Sequence, residues 1–143
     1  ELRQLSVRTL HQLPFAAVAD RLAALGVAGL VAEAFWMAVR GNLARFDEAA
    51  IWRDVAFGDA DIVIEDADFL AAAAQALPAE PWDATTWAGW TAAVKAATGR
   101  KGRALFHPLR LALTGYEAGP ELAALLPLIG RARASARLAG RSS

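Results

Sequence analysis

The sequence predicts an all-α fold made of two small helical subdomains. Apolar residues recur every three to four positions along most of the 143-residue chain, which is the spacing of one helix face. Glycine and proline punctuate these stretches where helices would start or stop. No alternating apolar and polar run is long enough to predict a sheet. The composition, 56% hydrophobic and 21% charged, is that of an ordinary folded protein.

Three helices are predicted in the first forty residues. The first places leucines at roughly helical intervals, at Leu2, Leu5 and Leu10. Pro14 suits the first turn of the second helix, because its fixed φ angle is already helical. Gly26 is a natural stop for that helix. The third helix runs to Arg40 and carries apolar residues at Leu30, Ala34 and Met37.

A fourth helix begins near Asp47, since acidic side chains stabilise a helix N-terminus. The stretch 58–68 that follows holds five acidic residues and is predicted as a connection, although residues 62–64 could form a short extended piece. Asp66 or Asp68 then caps an alanine-rich fifth helix.

Pro78 and Pro81 interrupt the helical pattern, because proline removes a backbone donor and clashes with the preceding turn. They predict a boundary between a first subdomain, residues 1–79, and a second subdomain, residues 80–143.

The second subdomain contains four predicted helices. The first ends near Gly99 and is followed by a basic turn at residues 100–103. The next covers residues 108–114 and opens on a proline. A third opens at Pro120 and ends at Gly130, and a basic helix closes the chain.

The formal net charge of zero conceals a strong asymmetry. Residues 1–94 carry six Lys/Arg and thirteen Asp/Glu, a net charge of −7, whereas residues 95–143 carry nine against two, a net charge of +7. Such a basic region indicates a polyanionic partner at one end of the molecule. A solvated helix face would produce the same asymmetry, so the charge alone leaves both interpretations open.

Few residues could form a metal or catalytic centre. The chain has no cysteine, and its two histidines, His11 and His107, lie far apart in sequence, so no zinc site is expected. The acidic run in 58–68 lacks the ligand spacing of a calcium loop. The turn 99–102 lacks the Lys-Ser/Thr ending of a phosphate-binding loop. We therefore predict neither a catalytic residue nor a metal ligand.

No membrane segment is predicted either. The longest apolar stretch, residues 25–39, is interrupted by Glu33 and is shorter than the roughly 18 residues that a membrane span needs. No signal peptide opens the chain, which starts at Glu1 rather than at a methionine. We expect an excised part of a monomeric, cytoplasmic protein.

Five tryptophans could either stack on unpaired RNA bases or fill the core. Three of them lie on apolar helix faces and are predicted to pack in the core: Trp36, Trp87 and Trp90. The positions of Trp52 and Trp82 do not decide between the two roles.

The strongest resemblance to a known family lies in residues 101–115, which read Lys-Gly-Arg-Ala-Leu-Phe-His-Pro-Leu-Arg-Leu-Ala-Leu-Thr-Gly. They resemble the final helical region of bacterial glutamyl-tRNA synthetases, and the string Pro-Leu-Arg-x-Ala-Leu-Thr-Gly is quite specific to that family. A Gly-Pro helix start at residues 119–120 and a helix ending at Gly130 follow in the family's order. Residues 5–14 and 44–48 resemble earlier segments of the family more loosely.

The resemblance implies that the chain is the anticodon-binding region of a class I glutamyl-tRNA synthetase. Such an enzyme uses ATP and magnesium to form glutamyl-adenylate and then attaches glutamate to its tRNA. That chemistry belongs to a Rossmann-type domain with His-Ile-Gly-His-like and Lys-Met-Ser-Lys-like signatures, neither of which occurs in this sequence. We therefore expect this chain to recognise glutamate tRNA, to need no cofactor of its own and to be inactive alone.

The resemblance also implies residue roles in a pocket between the subdomains, where the anticodon bases splay apart. Arg45 matches the residue that meets the last anticodon base, and its planar guanidinium can donate two hydrogen bonds to a cytosine. Members of the family with relaxed tRNA choice replace this arginine, so Arg45 indicates a reader of glutamate tRNA alone.

Arg110 matches an arginine that contacts the first two anticodon bases. The turn that packs against those bases is formed by Gly119, Pro120 and Leu122. The family can carry a hydroxyl residue at Gly119, and only backbone groups could replace that hydrogen bond here. Candidate phosphate contacts, which would position the loop without reading it, are Lys101, Arg103, Arg131 and the other terminal arginines.

Two alternatives stay open at this point. A helical protein-interaction module would also have an acidic N-terminal part and a high alanine and leucine content. The chain could also belong to a specialised synthetase paralogue that charges an unusual tRNA or has a regulatory role.

Overall fold

A computed structural model of the chain describes residues 6–141. Eight α-helices, α1 to α8, follow one another there, and no strand occurs among these residues. In order they are Val7–Gln12, Phe15–Ala24, Ala32–Val39, Ala49–Phe57, Ala67–Gln75, Thr86–Thr98, Arg103–Thr114 and Leu122–Leu138. Short 3-10 helices lie in the connections, at Gly29–Val31, Arg40–Asn42 and Phe46–Glu48. The all-α prediction is confirmed over this range, and Leu2 and Leu5 lie outside it.

The last helix, α8, lies at the centre of the hydrophobic core. It packs against α3, α4 and α5, which precede residue 79, and against α6 and α7, which follow it. Its Leu125, Leu126 and Ile129 are completely buried. Gly130 interrupts α8 with non-helical φ and ψ angles of 82° and 162°, at the predicted helix end. The division into subdomains 1–79 and 80–143 stays a prediction.

Two of the three tryptophans assigned to the core are completely enclosed. Trp36 and Trp90 are 0% and 1% exposed. Their indole N–H groups donate to the carbonyls of Leu13 at 2.7 Å and Ala73 at 2.9 Å, so burial leaves neither donor unpaired. Trp87 is half-buried against Trp90, with ring centroids 5.7 Å apart.

The predicted apolar face of the third helix is wrong. Leu30 is fully exposed and Met37 is half exposed. The buried residues of α3 are Ala32, Phe35, Trp36 and Val39. Two adjacent aromatic rings bury far more area than leucine and methionine, so they determine which side of the helix faces the core.

The seventh helix begins earlier than predicted, at Arg103 instead of Pro108, and the proline lies inside it. A proline removes the hydrogen bond to the carbonyl four residues earlier, which is that of Ala104. Nη1 of Arg100 donates to this carbonyl at 3.3 Å. The arginine replaces the missing backbone donor, and the helix continues past the proline.

Among the described residues, no helix is long and apolar enough to cross a membrane. Nor does that part of the chain contain a group of three or more His, Asp or Glu placed to hold a metal ion.

Arg137, near the end of α8, is completely buried. Its Nη1 donates to the carbonyls of Val55 at 2.7 Å and Leu113 at 2.8 Å, and its Nη2 donates to the carbonyl of Gly58 at 2.9 Å. These carbonyls lie at the C-terminal ends of α4 and α7, where a helix has no N–H groups of its own to offer. One guanidinium therefore fastens α4, α7 and α8 together.

The charge of Arg137 is retained at neutral pH. Burial lowers the pKa of Arg137 to about 10, with repulsion from Arg133 acting in the same direction and Asp59 opposing it. Arg133 also joins α8 to the end of α4, because its Nη2 donates to the carbonyl of Phe57 at 2.9 Å. A cation at a helix C-terminus also interacts favourably with the helix dipole.

Arg137→Ala should lower the free energy of unfolding by at least about 3 kcal/mol, because three carbonyls lose a charged donor and each unpaired buried acceptor costs about 1–3 kcal/mol. Urea denaturation followed by circular dichroism measures this change. Arg141→Ala is the control, since Arg141 is exposed and such substitutions stay within about 0.5 kcal/mol. If Arg137→Ala lowered the free energy of unfolding no more than the control does, Arg137 would not be what holds the three helices together.

The stability of the protein should depend on pH through the Asp66 carboxyl group. The N–H of Phe69, which donates to the carboxylate at 3.1 Å, and an ion pair with Arg100 hold the pKa of Asp66 below its usual 3.8. A lowered folded-state pKa gives stability that is present above the unfolded-state pKa and is lost as the pH falls through the folded-state value.

Asp66→Asn keeps a capping oxygen and removes the charge. We expect the wild-type chain to be more stable than this variant at about pH 6 and the difference to vanish by about pH 2. Thermal melts of both proteins across that range measure it, and a difference independent of pH would refute the assignment.

Candidate nucleic-acid interface

Arg45 stands where the chain enters the fourth helix. The Glu48 carboxylate accepts hydrogen bonds from the N–H groups of Ala44 at 2.6 Å and Arg45 at 2.9 Å, which fixes the backbone there. The Arg45 side chain is 66% exposed, and its Nε donates to Asp47 at 3.1 Å. Because Asp47 engages only Nε, the two Nη groups keep their donors for an acceptor from outside the described chain.

Arg110 occupies the middle of α7 and is half-buried. Its Nη2 donates to the carbonyl of Pro120 at 3.1 Å. Its Nη1 is buried and has no hydrogen-bond partner among the described residues, and burial lowers the pKa of Arg110 below its ordinary value. A buried donor without an acceptor is unfavourable, so an acceptor that reached Nη1 would be bound strongly.

The turn between α7 and α8 requires glycine at two positions. Gly115 has a φ of +82°, and a Cβ there would lie 2.0 Å from the carbonyl oxygen of Asp61. A Cβ on Gly119 would lie 2.4 Å from Cη2 of Trp52. Both distances are far below van der Waals contact. The hydroxyl residue that the family can carry at position 119 would clash here, because Trp52 occupies its space.

An aromatic pair joins this turn to α4. The rings of Trp52 and Tyr116 have centroids 5.3 Å apart, inclined at 57°. Trp52 is 7% exposed and Tyr116 is 44% exposed. Sequence reasoning left the role of Trp52 undecided and missed Tyr116. The sequence did offer a signal for Tyr116, because this residue directly follows the family string that ends at Gly115.

Arg110 is connected to Trp52 through the turn, and Arg45 lies on the same segment of the chain as Trp52. Arg110 holds the carbonyl of Pro120, and the neighbouring Gly119 rests on the Trp52 ring. Trp52 follows Arg45 by seven residues, about 10 Å along a helical segment. We call this set, Arg45, Trp52, Arg110 and residues 115–121, the arginine–turn surface.

Pro120 and Leu122 are both buried, and Leu122 is only 3% exposed. Their side chains therefore support the turn from beneath. The exposed side chains of the turn are those of Tyr116, Glu117, Ala118 and Glu121.

The candidate phosphate contacts lie in two places. Lys101 and Arg103 are exposed at the start of α7, where Arg103 is only 3.7 Å from the Glu117 carboxylate. Arg131 lies just after the Gly130 interruption of α8, and its Nε donates to the carbonyl of Pro78 at 3.1 Å. Among the described residues, no hydrogen bond or ion pair joins Arg131 to the start of α7.

The prediction that all terminal arginines contact phosphate is wrong for Arg137. Its side chain is 0% exposed, both Nη groups donate to backbone carbonyls, and the remaining donor, Nε, is buried. Arg133 is also engaged, with the carbonyls of Ile129 and Phe57. Two of the arginines that give the C-terminal third its net charge of +7 therefore stabilise the fold.

The chain matches the family model described as "Anticodon binding domain" over residues 45–141. It is 59% identical over 143 residues to "Glutamate--tRNA ligase 2" of Methylobacterium sp. (strain 4-46), covering 100% of this chain and 32% of that protein. It is 61% identical over 142 residues to the protein of the same name from Xanthobacter autotrophicus, covering 98% and 31%. The chain thus spans about a third of the length of these curated relatives.

The fold is also that of part of a solved glutamate tRNA ligase from Elizabethkingia meningosepticum. The TM-score is 0.75 at 14% identity, and the match covers 93% of this chain and 30% of that one. A glutamate-tRNA synthetase from Elizabethkingia anophelis gives a TM-score of 0.73 at 15% identity, over 92% and 29%.

Gly119→Ala should destabilise the chain by about 1–3 kcal/mol, because the new methyl group displaces the Trp52 ring. Chemical denaturation measures the change, and Gly41→Ala is the matched control, since a Cβ at Gly41 meets nothing within 4 Å. Combined with Trp52→Leu, the Gly119→Ala effect should shrink. An undiminished effect in the double variant would show that Trp52 is not the obstacle.

Proposed function

This chain belongs to the anticodon-binding domain family, and on that premise we propose that it recognises the anticodon loop of glutamate tRNA for a longer glutamate–tRNA ligase. The observation that carries the proposal is the range of the family match, which begins at Arg45 and contains the whole arginine–turn surface. Sequence-specific RNA recognition targets unpaired loops whose bases expose their edges, and arginines beside a rigid turn suit that task.

The proposal assigns the chemical reaction to the rest of the parent enzyme. There ATP and magnesium would drive the attachment of glutamate to tRNA, while this chain would bind no cofactor and position the substrate. The parent would act as a monomer in the cytoplasm, where translation takes place.

In this proposal Arg45 reads the last anticodon base. Asp47 holds Nε of Arg45 at 3.1 Å and thereby orients the guanidinium plane. The two free Nη groups can then donate to the paired acceptors of a cytosine, a bidentate geometry that lysine cannot provide.

Arg110 and the turn would receive the first two bases. The buried, unpaired Nη1 of Arg110 would donate a hydrogen bond to a base acceptor that displaced its cover. Gly119 and Pro120 would contribute backbone groups. Leu122 keeps that backbone in place from the core. Around the site, Lys101, Arg103 and Arg131 would contact phosphates, which fixes the RNA without reading its sequence.

A helical protein-interaction module is the second candidate. The observation in its favour is the exposure of two apolar side chains, Leu30 in the 3-10 helix Gly29–Val31 and Met37 on α3, which are 102% and 51% exposed. A lysate pull-down analysed by size exclusion with and without RNase separates the two functions, because only a protein complex survives RNase.

RNA binding itself is tested with a stem-loop that carries a glutamate anticodon. If about four phosphates are neutralised, log affinity should fall against log salt with a slope of about −3, at roughly 0.7 per phosphate. Filter binding over a salt series measures this slope. Absence of binding at low salt would overturn the proposal.

The role of Arg45 is tested with two stem-loops that differ only in the last anticodon base, cytosine or guanine. The wild-type chain should prefer cytosine by about 5- to 150-fold, the range of a bidentate base contact, and Arg45→Gln should remove most of that preference. Arg21→Gln is the matched control, because Arg21 is exposed on α2. If Arg45→Gln reduced the affinity for both stem-loops equally, Arg45 would contact a phosphate and would not read a base.

A further inference from the structure

Tyr116 is an exposed aromatic side chain that the roles above do not use. We propose that Tyr116 is a stacking platform for one unpaired nucleotide base, next to the arginines that read base edges. This inference rests on the proposed function, since it names a further contact within the same arginine–turn surface.

The ring is supported from behind and open in front. Trp52, 7% exposed, contacts it with centroids 5.3 Å apart, yet 44% of Tyr116 remains accessible. A large aromatic surface left in solvent is unfavourable, whereas covering it with a base returns about 1–3 kcal/mol in proteins that bind single strands. Every base has a flat face, so this contact would supply affinity without selecting a sequence.

The backbone that carries the ring is held rigidly. The Tyr116 N–H donates to the hydroxyl of Thr114 at 3.0 Å, and that hydroxyl donates to the carbonyl of Arg110 at 2.9 Å. Gly115 is packed against the Asp61 backbone so closely that no Cβ would fit. A platform fixed in this way loses little conformational freedom when a base stacks on it.

The charges around the ring favour a base over a phosphate. Tyr116 lines a small cavity of about 110 Å³ together with Asp54, Asp59 and Asp61. These carboxylates repel a phosphate on that side, while Arg110, through Pro120, holds the other end of the turn. The RNA backbone is therefore expected on the arginine side, with a base extending toward the ring.

Phe106 provides a matched comparison within the same protein. It is also 44% exposed, and it also packs against a tryptophan, Trp87, with centroids 6.1 Å apart. It lies near the opposite end of α7, about 15 Å of helix from Tyr116. Both rings are exposed to the same fraction and each packs against a tryptophan, but Tyr116 belongs to the arginine–turn surface and Phe106 does not.

The test uses anticodon stem-loops in which 2-aminopurine replaces each anticodon base in turn. Stacking quenches the fluorescence of 2-aminopurine. At one of the three positions, binding of the wild-type chain or of Tyr116→Phe should therefore reduce the fluorescence, whereas binding of Tyr116→Ala should not. Affinity for the unmodified stem-loop should fall about 5- to 150-fold for Tyr116→Ala, with an unchanged salt slope because no charge is lost. Phe106→Ala should leave both readouts as in the wild type.

The outcomes separate this inference from the proposed function. If the wild-type chain binds no stem-loop, the proposed function fails and the stacking inference fails with it. If it binds and Tyr116→Ala matches the wild type in affinity and quenching, only the stacking inference is overturned. An equal loss with Phe106→Ala would also overturn it, because the effect would then be general. Thermal melts of each variant verify that the fold is intact.

Discussion

A single buried guanidinium determines how the helices of this chain meet. Arg137 donates to carbonyls at the ends of α4 and α7 from within α8. Each of those helix ends would otherwise leave acceptors unpaired in the core, which is unfavourable. Because the helix α4 is entered through Arg45 and α7 carries Arg110, the same clasp sets the spacing of the two arginines proposed to read RNA.

Close packing fixes the arginine–turn surface in addition to the hydrogen bonds of Arg137. The indole of Trp52 fills the space beside Gly119, and the carbonyl of Asp61 fills the space beside Gly115, so the turn has little freedom to move. Rigid placement matters for recognition because a preformed site avoids the entropy cost of ordering on binding. The Nη donors of Arg45 are exposed to solvent, whereas the unpaired Nη1 of Arg110 is buried beside the turn carbonyl that Nη2 holds.

The sequence predicted the helices well because their signals are local. Gly26, Gly99 and Gly115 each follow a helix end, and Asp66 caps α5. The failures arose where the deciding contact is not part of the apolar spacing. The spacing around Pro108 does not show that Arg100 donates to the Ala104 carbonyl, which the proline leaves without its backbone donor.

The site was predictable only in part, for the same reason. The family motif indicated the turn and both arginines that we propose to read the anticodon. Arg137 has the appearance of an exposed cation in a basic helix, and only the three-dimensional neighbours of its guanidinium reveal a core residue. Hydrogen–deuterium exchange with and without the anticodon stem-loop tests whether RNA contacts both halves of the arginine–turn surface. On binding, RNA should protect amides in both 44–53 and 115–122. Protection of only one segment, or of neither while RNA is bound, would contradict contact with both halves.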